Sequence, residues 1–257
     1  MVEEVRSKED KEYVAGLEKG LAVIEAFGIR NGPLTLSEAA EITGHPRATT
    51  RRSLLTLQRL GYVESDGKTF RLAPRVLRLG HAYVTSSPLP KLVQPVIEAI
   101  SERTQESSSL AVLDGANVVF VARAATRRSL SHGLGMGSRL PVHSAATGRV
   151  LLAALAPDEA ERILLRMARR PLTPRTRIDV PELLALLDDV RRDGYAVSDE
   201  ELELGLRSIA VPVHDMHGRT VAAMSIVAST SRFTLAAMID TLLPEVQRGR
   251  RMLTAML

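Results

Sequence analysis

Three arginines and two hydroxyls, Arg47, Thr49, Thr50, Arg51 and Arg52, are crowded into six residues, just ahead of Leu54, Leu55, Leu57 and Leu60 at helical spacing. On one helix the leucines would face a core, and the guanidinium and hydroxyl groups would gather at the amino-terminal end. That end enters the major groove in a helix-turn-helix, where arginine reaches guanine edges or phosphates and small hydroxyls reach phosphates or base edges. Ser37, early in the preceding segment, joins the same polar surface. From residue 47 to residue 78 there are eight basic and two acidic side chains, an excess of six positive charges where the whole chain carries +4. A local basic patch on a modestly charged protein suits phosphate contact by counterion release. A solvated arginine-rich face would carry the same charge, but the helix spacing and an Asp66-Gly67 hairpin tip favour nucleic acid.

The flanking residues supply the elements that must hold this end in place. Val14, Leu17, Leu21, Ile24 and Phe27 recur at spacings of three and four, which predicts a first amphipathic helix over residues 13–27 with that stripe toward the core. Thr35 and Glu38 have capping-box spacing at the start of a second helix, and Gly44 can take the left-handed conformation that ends it. Pro46 suits the first turn of the third. Residues 62–63 and 69–72 flank the Asp66-Gly67 turn as a hairpin, with Lys68 and Arg71 on the resulting wing. A helix opening at Pro74, with Val76, Leu79 and Tyr83 on one face, ends in a serine and proline cluster at residues 85–90 that reads as a domain boundary.

Past that boundary the pattern mixes helices and strands. Helices are expected over 92–103, 147–155, after Pro157, over 183–190 behind an Asp179/Glu182 capping box, and over 235–256. Strands are expected over 109–113, 118–122, 195–197, 209–213 and 220–228, several of them in hairpins, which implies an antiparallel sheet flanked by helices. The organisation is thus a charged, disordered tail (1–12), a winged helix-turn-helix (13–73), a linker helix and boundary (74–90) and an α/β domain (91–257).

Composition excludes several chemistries. The chain of 257 residues has no cysteine, so disulfides, thiolate zinc sites and cysteine nucleophiles are ruled out. No apolar run approaches the roughly 18 residues that cross a membrane, and the alternating charges of the first dozen residues do not form a signal peptide. A cytoplasmic protein is expected. His143 and Ser144 are adjacent but lack a base-and-acid constellation, and no Gly-x-Ser-x-Gly elbow occurs, so a hydrolase is disfavoured. The stretch Gly133-Leu-Gly-Met-Gly137 lacks a P-loop lysine and reads as a flexible loop. His214 and His217 flank Asp215 in a turn with no third ligand nearby, so neither a metal nor a cofactor is expected.

The order of these elements resembles the IclR family of bacterial transcription regulators over nearly the whole chain. The matching stretches are Leu140-Pro-Val-His-Ser-Ala-Ala-Thr-Gly-Arg-Val-Leu-Leu-Ala153 and Asp193-Gly-Tyr-Ala-Val-Ser-Asp-Glu-Glu201, followed by Gly205 and Ile209-Ala-Val-Pro-Val213. Gly137-Ser-Arg-Leu-Pro141 with Gly148-Arg-Val-Leu-Leu-Ala-Ala is most similar to the branch that controls protocatechuate, 4-hydroxybenzoate and β-ketoadipate catabolism. The resemblance implies an α+β protein: a winged helix-turn-helix joined by a linker helix to a GAF-like antiparallel effector domain. It also implies a homodimer or dimer of dimers on double-stranded promoter DNA, with a small carboxylate effector. Carried over by position, the polar lining of the effector pocket would be Ala146, Thr147, Ser198, Ser208 and Ser225. Ser129, His132, Met136, Leu140 and Leu206 would supply its walls. Some relatives have an acidic residue at the Ser198 position and a cysteine at the Ser208 position, so polar groups are held differently here. Arg139 and Arg149 could meet a second effector carboxylate, although a surface or interface ion pair is the commoner fate of such arginines. The rival reading keeps the DNA-binding half and gives the second domain a role in oligomerisation alone.

Overall fold

The computed structural model describes residues 13–30, 32–126 and 134–257. Two compact units divide between Thr85 and Ser86. In the first, α1 (Ala15–Arg30), α2 (Leu36–Thr43) and α3 (Arg47–Arg59) precede a hairpin of β1 (Val63–Ser65) and β2 (Phe70–Leu72), a 3-10 turn (Pro74–Val76) and α4 (Leu77–Ser86). Thr35 and Glu38 cap α2 reciprocally: the Glu38 amide donates to Thr35 Oγ1 at 3.3 Å, and the Thr35 amide donates to Glu38 Oε2 at 2.8 Å. Gly44, at φ +67°, ends the helix. Pro46 lies one residue earlier than expected, as the extended cap before α3 rather than inside its first turn. Asp66 holds the wing tip by accepting from the Thr69 and Lys68 amides, which lowers its pKa below the usual carboxylate range.

The core of this unit is Val23, Phe27, Leu34, Ala39, Leu54, Leu57 and Val63. Two expectations need correction here. Leu55 and Leu60 of α3 are exposed, because only Leu54 and Leu57 lie on the side turned to α1 and α2. The α1 stripe is also rotated: Val23, Ala26 and Phe27 are buried, whereas Val14, Leu17 and Leu21 are exposed. With Leu60, Tyr62 and Leu79, Leu17 and Leu21 line an open apolar groove of about 690 Å³.

The division falls within the serine and proline cluster, and the helix expected from residue 92 starts earlier, at Pro88. Only Ser87 separates α4 from α5 (Pro88–Thr104), since Pro88 and Pro90 occupy a first helical turn where a missing N–H costs nothing. Then come β3 (Ser107–Asp114), β4 (Asn117–Ala124), β5 (Arg139–Pro141), α6 (Ala146–Ala153), α7 (Pro157–Arg166), α8 (Val180–Asp193), β6 (Ala196–Asp199), β7 (Leu206–His214), β8 (Thr220–Ser229), α9 (Leu235–Thr241) and α10 (Leu243–Thr254). The strands form one antiparallel sheet in the order β5-β4-β3-β8-β7-β6. β5 has no counterpart in the sequence reading, and the single closing helix is two, broken ahead of Pro244. At α8 only half of the capping box forms: Asp179 accepts from the Glu182 amide, while the Glu182 carboxylate pairs with Arg177.

Helices cover both faces of this sheet. On one, α5 and α10 pack over Leu110, Ile209, Val211, Met224 and Ile226. A Cβ on Gly249 of α10 would approach Ile100 Cδ1 to 2.5 Å, so the two helices are as close there as side chains permit. On the other face, α6 lies over a floor of small residues, Ala111, Ala196, Ala210 and Ala223. A Cβ on Gly148 would come within 2.4 Å of the Val142 backbone, which fixes the first turn of α6 against rigid main chain.

Candidate functional site

Arg47, Arg51 and Arg52 project from α3 into solvent, Thr49 is half-buried beside them, and Ser37 is exposed in the first turn of α2. Arg47 and Arg51 lie one helical turn apart. Lys68 is exposed at the wing tip, and Arg71 is exposed one strand away with its guanidinium on Glu64 (2.8 Å). Arg75 stacks over Tyr62 at 5.5 Å. Thr50 must be removed from this surface. It is fully buried, at the spacing of Leu54 and Leu57, and its hydroxyl donates to the Pro46 carbonyl at 3.3 Å. A threonine four residues before a core leucine belongs to the core face of the helix, and the local bond to the preceding turn satisfies its hydroxyl.

In the second unit the floor under α6 changes character just beyond the start of that helix. Each strand that presents alanine beneath the helix body presents a polar residue two positions along the same face: Ala111 gives way to Ser109, Ala223 to Ser225, Ala210 to Ser208 and Ala196 to Ser198. Register aligns the rows. Arg123 of β4 is opposite Ser109 of β3, Ser109 is opposite Ser225 of β8, and Ser198 of β6 is opposite Ser208 of β7. Above this polar floor is a cavity of about 230 Å³ with apolar walls that include Phe120, Leu134, Leu140, Leu172, Leu202 and Leu206.

Seven of the ten residues carried over for the pocket line it together: Leu140, Ala146, Thr147, Ser198, Leu206, Ser208 and Ser225. Met136 does not. It is exposed in the turn ahead of β5, where the Gly137 amide donates to the Phe120 carbonyl and directs the chain back to the sheet. Ser129 and His132 lie outside the described residues. Nine lining residues were missed, among them Phe120, Leu172, Leu202 and the charged Arg123, Glu203 and Arg207. Of these, Arg123 carried a signal, because pairing across the Asp114-Asn117 turn sets this lone charge of an apolar strand opposite Ser109.

Hydrogen bonding gives the cavity two chemically different ends. Burial pushes the Arg123 pKa down from the usual guanidinium value, yet from so high a value that the group stays cationic. The buried Ser109 and Ser225 hydroxyls are 3.0 Å apart, so one proton is used between them and one is left to donate. Toward β6, the Ser198 hydroxyl donates to the Ser144 carbonyl at 2.7 Å, which leaves its oxygen as an acceptor for anything in the cavity. Above Ser198, α6 begins at Ala145 with no side-chain cap, so its first amides are donors toward the same end.

The other candidate groups have separate partners. Arg139 pairs with Asp114 on the surface at 2.8 Å, and Arg149 is buried against Glu201. Ser144 Oγ points to the Pro141 carbonyl (3.5 Å) and His143 Nε2 to the Arg170 carbonyl (3.3 Å), so the two side chains are not a nucleophile and base. His214 Nδ1 is 3.2 Å from Thr220 Oγ1. Among the described residues no three His, Asp or Glu side chains converge as a metal site, and no helix is long and apolar enough to cross a membrane.

Comparison with known proteins agrees with both halves. Residues 16–67 match the model described as the IclR helix-turn-helix domain, and residues 81–253 match that of the bacterial transcriptional regulator IclR C-terminal domain. The chain is 41% identical to the Pca regulon regulatory protein of Pseudomonas putida, over 91% of this chain and 81% of that one. The inducer-binding domain of the PobR transcription factor of Acinetobacter, crystallised as a double mutant with 3-hydroxybenzoic acid, superposes with a TM-score of 0.63 at 34% identity. That match covers 66% of this chain and all of that one. An IclR homolog of Microbacterium hydrocarbonoxydans complexed with 4-hydroxybenzoate superposes with a TM-score of 0.75 at 26% identity, over 94% of this chain and all of that one.

Proposed function

The chain belongs to the IclR family of bacterial transcriptional regulators, and from that membership we propose that it binds promoter DNA as a dimer or dimer of dimers, with occupancy set by an aromatic hydroxy acid in the serine-floored cavity. α3 enters the major groove through Arg47, Thr49, Arg51 and Arg52. Lys68, Arg71 and Ser37 hold the neighbouring phosphates. Such a protein works in the cytoplasm, with the DNA, and by binding rather than catalysis.

The observation that carries the effector reading is the cavity's polarity. Arg123 and the spare Ser109/Ser225 proton offer donors at one end, Ser198 offers an acceptor at the other, and the rest of the lining is mostly apolar, with Thr147, Ser208, Glu203 and an Arg207 already paired with Asp199 as its other polar members. An aromatic ring with a carboxylate toward Arg123 and a hydroxyl toward Ser198 answers each of these groups. The volume of about 230 Å³ falls below the roughly 300–1,000 Å³ of pockets for drug-sized ligands, which suits a single ring. The hydroxybenzoate complexes of the two similar structures point the same way. A dicarboxylate such as β-ketoadipate is the second reading, favoured by the uncapped amides of α6, which could take a second carboxylate.

Binding of the purified protein to its own upstream DNA, at one fixed salt concentration and with 4-hydroxybenzoate, protocatechuate or β-ketoadipate added, tests both halves. The expected result is specific binding altered by a hydroxybenzoate, and a response lost in Arg123→Gln with DNA affinity retained. Coupling of 1–3 kcal/mol, usual for allosteric regulators, would change occupancy by about 5- to 150-fold. Arg51→Ala should weaken the complex and Thr50→Val should not. Specific binding indifferent to all three acids would overturn the effector assignment, and a response to β-ketoadipate alone would select the second reading.

A further inference from the structure

Among the described residues, the most deeply buried ion pair does not line the cavity. Glu201 is 1% exposed and Arg149 is 2% exposed. Glu201 Oε1 accepts from Arg149 Nη1 at 2.7 Å and from Arg177 Nη1 at 2.7 Å; Oε2 accepts from Arg149 Nη2 at 2.5 Å and from the Arg177 amide at 3.1 Å. Arg149 also donates from Nε to the His143 carbonyl (3.1 Å) and from Nη1 to the Val197 carbonyl (2.8 Å). Every face of the carboxylate is occupied. Yet a buried ion pair is weak evidence for stability, because desolvation offsets much of the attraction, and apolar replacements of similar volume are often as stable or more so.

What the network does achieve is a junction of three segments that are distant in sequence. Arg149 is in the middle of α6, Arg177 is in the strap between α7 and α8, and Glu201 is in the turn between β6 and β7. Strap and turn are tied again beside it, where Thr173 Oγ1 donates to the Glu200 carbonyl and Thr176 Oγ1 to the Glu201 carbonyl, both at 2.7 Å, and Arg175 pairs with the Glu200 carboxylate. The turn bends through Glu200 at φ +58° and Gly205 at φ +85°, and no regular strand or helix holds it. These joined segments face the cavity: the strap contributes Leu172, the turn Leu202, and α6 contributes Ala146 and Thr147 at the polar end.

The geometry points to Glu201, clamped by Arg149 and Arg177, as a positioning residue for the effector: it sets the outer wall over the serine floor, so that affinity depends on a carboxylate the effector never meets. This rests on the effector reading above. Two variants separate positioning from mere stability. Arg177→Gln removes the half-exposed partner and leaves the buried Arg149–Glu201 pair intact. Arg149→Met combined with Glu201→Leu removes both buried charges together.

The full-length variants are compared with wild type by thermal unfolding and by titration calorimetry with 4-hydroxybenzoate and protocatechuate. Both should unfold near the wild-type midpoint and bind promoter DNA as wild type does without acid. Both should bind the acid more weakly, by roughly two- to thirty-fold, the range of coupling changes from residues outside a binding site. Amide exchange over residues 199–206 should quicken in Arg177→Gln. If the paired variant does not fold, Arg177→Gln decides alone. Wild-type affinity in Arg177→Gln overturns the clamp while leaving the effector reading standing. A wild-type protein that binds neither acid overturns the effector reading, and the clamp's role falls with it.

Discussion

At the scale of single residues, legibility followed chemistry type. The arginines of α3 could be read because helical spacing assigns each residue a face, and the same rule, applied strictly, moves Thr50 into the core. Arg149 was harder: a buried arginine and an exposed one look alike in sequence until the carboxylate facing it, 52 positions away, is known. His143 is a similar case. It is buried, its Nδ1 has no hydrogen-bond partner among the described residues, and burial pushes its pKa below the usual imidazole value. The unfolded chain therefore takes up a proton at higher pH than the folded one, so stability present above the unfolded value near 6.5 is lost as pH falls toward the folded value. The difference in unfolding free energy between wild type and His143→Asn should drift against wild type between pH 7 and pH 5. Parallel pH profiles for the two proteins would mean that His143 does not titrate differently on folding.

At the scale of elements, local signals located most helices and strands, and failures came where tertiary packing chose among permitted options. Thr35, Glu38 and Gly44 fixed both ends of α2 through bonds within a few residues. The serine at 87 and the prolines at 88 and 90 suit a linker and a helix start equally well, and packing of Pro90, Val93 and Ile97 made them a helix start. α1 had two apolar stripes, and the sequence could not say which one the core would take. For α6, the decisive feature is Gly148, whose close approach to the Val142 main chain leaves no room for a methyl group. Gly148→Ala would relieve helix-propensity cost by about 1 kcal/mol but force α6 outward. The expected net result is a destabilised second unit, by about 1–3 kcal/mol as for other overpacked sites, with weakened acid binding. A thermal midpoint at or above that of wild type would show that the backbone can yield.

At the scale of the whole molecule, the two units carry different kinds of unfinished surface. The second has a small cavity floored by serines, whereas the first leaves Leu17, Leu21, Leu60 and Leu79 around a larger apolar groove. Contiguous apolar surface of this kind marks a protein interface, and under the dimer proposed above its occupant is a second copy of the same chain. Leu21→Lys should shift the protein toward monomer in light scattering and weaken promoter binding, while the isolated chain keeps its helical content. An unchanged dimer would assign the interface to another surface.

The sheet order also has a consequence in time. β8, which carries Ser225, lies between β3 and β7 and is the last strand to be synthesised. At roughly 5–20 residues per second, the ribosome releases Ser229 on the order of ten seconds after Thr85. Until β8 emerges, β3 and β7 have no strand to join them, while the residues of the winged helix have already been released. Messages cut short before Thr220 would yield fragments with the recognition helix and no cavity, regulators deaf to their metabolite, and their clearance becomes part of the circuit's fidelity.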